Sequence, residues 1–119
     1  SMTPIDIEKT RAELINAYPG CHVKVAEDQR EMVAEISDGF AVAVIERSQP
    51  HFYAKMTEIY RVRCGTLYVA CGNQGHVLRE GEAITIKPGY IHYACVAGEP
   101  VWIKVESTPP RSADDHCVL

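Results

Sequence analysis

Two short segments carry residue types that can do chemistry together. The first is Pro50-His51-Phe52-Tyr53, followed by Ala54-Lys55-Met56-Thr57 and Glu58-Ile59-Tyr60. The second is Lys87-Pro88-Gly89-Tyr90-Ile91-His92. On a strand His51 and Tyr53 point to the same face, because side chains alternate. A bend over residues 54–57 brings Glu58 back beside them at the start of the next strand. His92 follows a Pro-Gly turn at the start of another. Two imidazoles and a carboxylate from three strands are a ligand set for a divalent first-row metal, and they leave positions open for water or substrate. Tyr53 admits three readings. It could ligate as a phenolate, which requires deprotonation from a reference pKa of about 10. It could hydrogen-bond to a metal-bound water or to substrate, or it could fill space in a site that has lost its metal. Tyr60 shares the inward parity of Glu58 and could orient a ligand, although filling the barrel is the usual role of such a residue.

The other polar candidates carry less. His76 follows a Gly-Asn-Gln-Gly turn and reads as a surface histidine on a hairpin. His22 beside Cys21 is poor evidence for a nucleophile and base. Arg61, Arg63 and Lys55 read as a solvated face. If one of them binds an anion, Lys55 in the bend is the best placed. Asp114-Asp115-His116-Cys117 contains metal-ligand types in a segment whose composition is that of a solvated tail. The five cysteines have no Cys-x-x-Cys pair, which fits reduced thiols in a cytoplasm better than a disulfide framework.

The elements that must position these residues are mostly strands. One segment reads as helix, with Thr3 as N-cap, Pro4 at the first helical position, and Ile7, Leu14, Ile15 and Tyr18 on one stripe. Pro19-Gly20 stops it. From Cys21 onward short strands alternate with tight turns: 22–26, 32–37, 40–46, 51–53, 58–63, 67–71, 76–79, 83–87, 92–96 and 101–107. Asp38-Gly39 is a two-residue hairpin signal. This pattern predicts an all-β sandwich or barrel behind a short N-terminal helix. The inward positions by alternation are Val42, Val44, Tyr60, Val62, Ile84, Ile86, Val101, Ile103 and Val105. The chain divides into an N-terminal helical segment (1–20), a barrel (21–107) and a C-terminal tail (108–119), the tail either loose or laid across the barrel. Ser1-Met2 reads as a scar of tag removal ahead of the natural start.

At the chemical segments the sequence resembles the cupin superfamily. The first cupin motif is Gly-x5-His-x-His-x3–4-Glu-x6-Gly, matched by His51, Glu58 and Gly65. The second is Gly-x5-Pro-x-Gly-x2-His-x3-Asn, matched by Gly81, Gly89 and His92. The resemblance spans residues 38–107. Ile45, Lys87 and Val96 stand where the motifs have glycine, proline and asparagine, and Tyr53 stands where the first has its second histidine. The resemblance implies a double-stranded β-helix, a small RmlC-like jelly-roll barrel, usually dimeric, with metal ligands near one mouth. Those ligands would be His51, Glu58 and His92, holding iron, manganese, nickel or zinc. Tyr53 and Tyr60 would position or exchange a proton.

Composition narrows the partners. The 119 residues are 46% hydrophobic and 24% charged, which suits one soluble globular domain. A net charge of −4 argues against nucleic acid, and no apolar run reaches the ~20 residues of a membrane span. A small-molecule ligand and a cytoplasmic homodimer are expected, with Ile59, Trp102 and Phe40 on an outer face to be covered. Two classes of function compete. One is a metal-dependent enzyme acting on a small polar metabolite, in the manner of sugar-phosphate isomerases or dioxygenases. The other is a binding or sensor barrel without metal or turnover. A metal-free epimerase using histidine and tyrosine as acid and base is a third possibility.

Overall fold

The computed structural model describes residues 3–119, so the reading of Ser1-Met2 lies outside the described residues. A helix α1 (Ile7–Ala17) precedes eleven strands: β1 (His22–Val25), β2 (Glu31–Ser37), β3 (Phe40–Ile45), β4 (His51–Tyr53), β5 (Thr57–Cys64), β6 (Leu67–Cys71), β7 (Gln74–Leu78), β8 (Ala83–Ile86), β9 (His92–Cys95), β10 (Val101–Thr108) and β11 (His116–Val118). They form a six-stranded sheet in the order β1-β2-β3-β10-β5-β8 and a five-stranded sheet in the order β11-β4-β9-β6-β7. The strand pairings are antiparallel. This is the all-β jelly-roll barrel with one N-terminal helix that the pattern predicts.

Asp38-Gly39 makes the β2–β3 turn. Gly39 has φ +73°, and a Cβ there would lie 2.7 Å from the backbone oxygen of Ser107, so the turn requires glycine on two counts. The helix begins later than expected. Asp6, not Thr3, is its N-cap, with the Asp6 carboxylate accepting from the Lys9 N–H at 3.1 Å. Ile15 is exposed, and the stripe that packs inward is Ile7, Thr10, Leu14 and Tyr18.

The apolar residues form two layers. Between the sheets lie Tyr60, Val62, Ile86, Val101, Ile103 and Val105, with Ile84 against them, as alternation predicts. Val42 and Val44 are corrections. They point outward and pack with Met32 and Ala34 beneath Leu14, while Ala41, Ala43 and Ile45 face the barrel interior. Every residue of β3 from Ala41 on is buried because one face lines the barrel and the other lies beneath the helix. Alternation cannot tell the two faces of such a strand apart. Phe40 and Trp102 also pack into this second layer, so the chain itself partly covers two of the three residues behind the homodimer expectation. Leu14 is fully buried and anchors the layer, so Leu14→Ala should cost about 2–5 kcal/mol, read as a lower urea midpoint with an unchanged slope.

The tail is laid across the barrel. Its last strand, β11, pairs with β4 and so extends the five-stranded sheet. No helix of the described residues is long and apolar enough to cross a membrane.

Candidate metal centre and substrate cavity

His51 on β4 and His92 on β9 are direct partners in the antiparallel ladder, so their side chains leave the same face side by side. Their rings are 4.2 Å apart, and both residues are buried. The approach of β9 is fixed at the Pro88-Gly89 turn, where the Gly89 N–H donates to the Tyr53 carbonyl at 2.7 Å. Glu58 comes from the facing sheet, on β5, and is also buried. One ligand atom from each of His51, Glu58 and His92 lies within 4.8 Å of the others. The three residues form a group that could hold a metal ion.

The hydrogen bonds set the tautomers. His51 Nδ1 is 2.6 Å from the Gln49 carbonyl, and His92 Nδ1 is 2.9 Å from the Tyr90 carbonyl. A carbonyl only accepts, so each Nδ1 carries the proton and each neutral ring has its lone pair on Nε2. The carbonyl behind each ring is the support a metal-bound histidine commonly has. Burial, then the neighbouring His92, push the His51 pKa down to about 4, so this ring is neutral at pH 7. His92 Nε2 lies 3.3 Å from Glu58 Oε1, and among the described residues neither atom finds a hydrogen-bond partner. The pair would be an ion pair only with a second proton on His92. In the neutral tautomer two acceptors face each other in a buried site. Such an arrangement is costly unless a cation lies between them, and the donor set fits a divalent one.

Tyr53 and Tyr60 line the same cavity. The Tyr53 ring is 5.6 Å from His51, and the Tyr60 ring is 6.0 Å from His92. Burial, then the Glu58 carboxylate, push both phenols above their ordinary pKa. That weighs against a phenolate at Tyr53 and leaves its hydroxyl as a hydrogen-bonding group.

Three residues outside the predicted set reach this site. The Arg111 guanidinium enters from the tail, with Nη2 3.5 Å from Glu58 Oε2. His116 on β11 lines the cavity with its ring 5.1 Å from those of both His51, which it meets edge-on, and Tyr53, to which it is tilted. Glu31 faces the cavity from β2, on the parity opposite to the outward Met32 and Ala34. The alternation of Glu31, Val33 and Glu35 with Met32 and Ala34 was the sequence signal for it. Lys55, read as part of a solvated face, is exposed. Asp115 is buried and accepts from the Lys55 N–H at 2.8 Å and the Met56 N–H at 3.1 Å, so it clamps the bend that delivers Glu58. Arg61 donates to the Gly81 carbonyl, Arg63 lies over Trp102, and the five cysteines are free.

Glu31 makes the site sensitive to pH. Glu31 is partly buried, and burial raises its carboxyl pKa to about 7. Folding therefore favours the protonated form, and its contribution to stability falls as pH rises from about 4.5 to 7. Glu31→Gln removes that loss. Its stability relative to wild type should rise by up to about 3 kcal/mol between pH 4.5 and 7.5, measured by urea unfolding in the presence of a chelator. A difference that is independent of pH would contradict this assignment.

Neither a family model nor a curated protein matches the sequence. Solved structures do. Streptomyces Pac13 with uridine bound, a variant of a protein described as a nucleoside dehydratase, is 14% identical and superposes with a TM-score of 0.73 over 86% of each chain. KdgF from Halomonas sp. is 17% identical, with a TM-score of 0.61 over 78% of this chain and 89% of that one. Oxalate decarboxylase from Bacillus subtilis is 14% identical, with a TM-score of 0.67, and this chain covers 31% of its length. At such identities the likeness is one of fold. With the two antiparallel sheets, it shows that this chain has the cupin-type jelly-roll fold.

Proposed function

We propose that this protein is a metal-dependent enzyme that holds a divalent ion at His51, Glu58 and His92 and acts on a small polar metabolite. The observation that carries the reading is the buried convergence of His51, Glu58 and His92, with Glu58 Oε1 and His92 Nε2 3.3 Å apart and, among the described residues, no hydrogen-bond partner for either. A bound divalent ion would supply Lewis-acid polarisation of a carbonyl or enediol oxygen, the chemistry shared by isomerase-like and dioxygenase-like reactions. The chain's own residues would do the rest. The Gln49 and Tyr90 carbonyls keep both imidazoles aimed, and the neutral Tyr53 and Tyr60 hydroxyls hold or pass a proton near substrate. Glu31, with its raised pKa, is a further proton acceptor on the cavity wall.

The second reading is a ligand-binding barrel without metal, and Arg111 favours it, because a guanidinium already faces the Glu58 carboxylate. Metal content decides between them. Protein purified without chelator, or reconstituted with iron, manganese, nickel and zinc in turn, should retain close to one ion per chain by plasma mass spectrometry. Failure to retain any of the four would leave the metal-free reading. The homodimer stands as part of the proposal, supported by Tyr68, Val77 and Tyr93 exposed together on the outer face of the five-stranded sheet. A monomer by light scattering would overturn it.

A further inference from the structure

Arg111 is an unusual cation. Its side chain is 30% exposed, and it lines the cavity with Glu31, Tyr53, Glu58 and Tyr60. A guanidinium has five N–H groups to satisfy. Among the described residues its one hydrogen bond is the 3.5 Å contact to Glu58 Oε2, at the long limit for such a bond. A guanidinium keeps its charge throughout the physiological pH range, buried or not. The result is a charged, planar donor fork beside the candidate metal centre, with most of its donors open to the cavity.

We propose that Arg111 is a substrate-binding residue that recognises the carboxylate of a hydroxylated monocarboxylic acid. The proposal rests on the reading of this cavity as a substrate site and names the class of substrate it takes. Carboxylate geometry matches the guanidinium fork through two parallel hydrogen bonds. One guanidinium offers one fork, and the other cations on the cavity wall are paired, Lys24 with Glu35 at 2.9 Å and Arg47 with Asp28 at 3.7 Å, so a ligand finds a guanidinium partner for a single carboxylate. Glu31, Glu35 and Glu58 also line the cavity, and these carboxylates with the two phenols suit the hydroxyl groups of such a ligand, since each offers an acceptor. The cavity volume of about 610 Å³ is in the range of pockets that take small metabolites.

The test compares D-gluconate with D-glucitol, which differ only in the carboxylate, by isothermal titration calorimetry. Wild type, Arg111→Gln and Arg111→Lys are titrated, each manganese-loaded and chelator-stripped, with inorganic phosphate as a third probe. Wild type should bind gluconate at least about tenfold more tightly than glucitol. Arg111→Gln should erase that preference, and Arg111→Lys should keep only part of it, because a point charge replaces a fork. Undetectable gluconate binding, no preference in wild type, or an unchanged preference in Arg111→Gln overturns the proposal. Phosphate binding tighter than gluconate overturns the carboxylate class. Metal content is measured on the same samples. A gluconate preference that depends on Arg111 in protein that never retains metal supports this proposal while defeating the metal reading. Retained metal with no Arg111-dependent preference does the reverse.

Discussion

Glu58→Gln should weaken divalent-metal binding by at least about 100-fold and leave the fold intact. Glutamine keeps the shape of the side chain and removes its charge. Glu58 is the only carboxylate in the group, and the two imidazoles it faces bring lone pairs without charge. The variant thus loses the one anionic ligand. The same substitution relieves the metal-free protein, because an amide nitrogen can donate to His92 Nε2 where a carboxylate oxygen cannot. Two readouts should therefore move in opposite directions. Metal content after identical reconstitution should collapse, and the melting temperature in chelator should hold or rise. The rise in melting temperature that added metal gives wild type should disappear in the variant. Tyr53→His should act the other way. Tyr53 shares the face of His51 at a ring distance of 5.6 Å, and an imidazole there adds a fourth ligand that needs no phenol deprotonation. Equal metal content in wild type and Glu58→Gln would defeat the metal centre.

What could be read from the chain divides along physical lines. Strand positions and the three converging residues were legible because period-two alternation and tight turns are local. The two motifs also bracket a hairpin whose length is nearly fixed. The facing of β3 was not legible, since Val42, Ala43 and Val44 are buried on both sides and only the docking of α1 decides which face is the barrel's. The helix start was misplaced because Thr3-Pro4 and Asp6 both offer N-terminal signals, and the hydrogen bond to Lys9 N–H selects Asp6. Glu31 carried a signal in its parity, but its placement depends on the register of β2 against β3. Arg111, Asp115 and His116 were the least visible. Their segment has the composition of a solvated tail, and what orders it is contact with residues 51–58, 53 to 67 positions earlier in the chain.

That distant contact gives the last expected result. Asp115→Ala should destabilise the protein by about 2–4 kcal/mol and loosen the candidate metal centre from outside it. The Asp115 carboxylate is buried and accepts from two consecutive N–H groups, those of Lys55 and Met56, while its own carbonyl accepts from the Ala54 N–H at 3.3 Å. Alanine leaves the first two donors without their partner. Met56 is itself fully buried, so the bend cannot turn its N–H to water without withdrawing a core side chain. Glu58 lies two residues beyond Met56, and Arg111 four residues before Asp115, so both sides of the cavity share this clamp. Asp115→Asn keeps an acceptor and should fall between wild type and alanine. Urea unfolding gives the stability, and hydrogen exchange at residues 54–58 and 112–118 gives the location. Both segments should exchange faster together, because each holds the other. Unchanged exchange at 54–58 in Asp115→Ala would mean that β11 alone fixes the tail and that the bend stands without it.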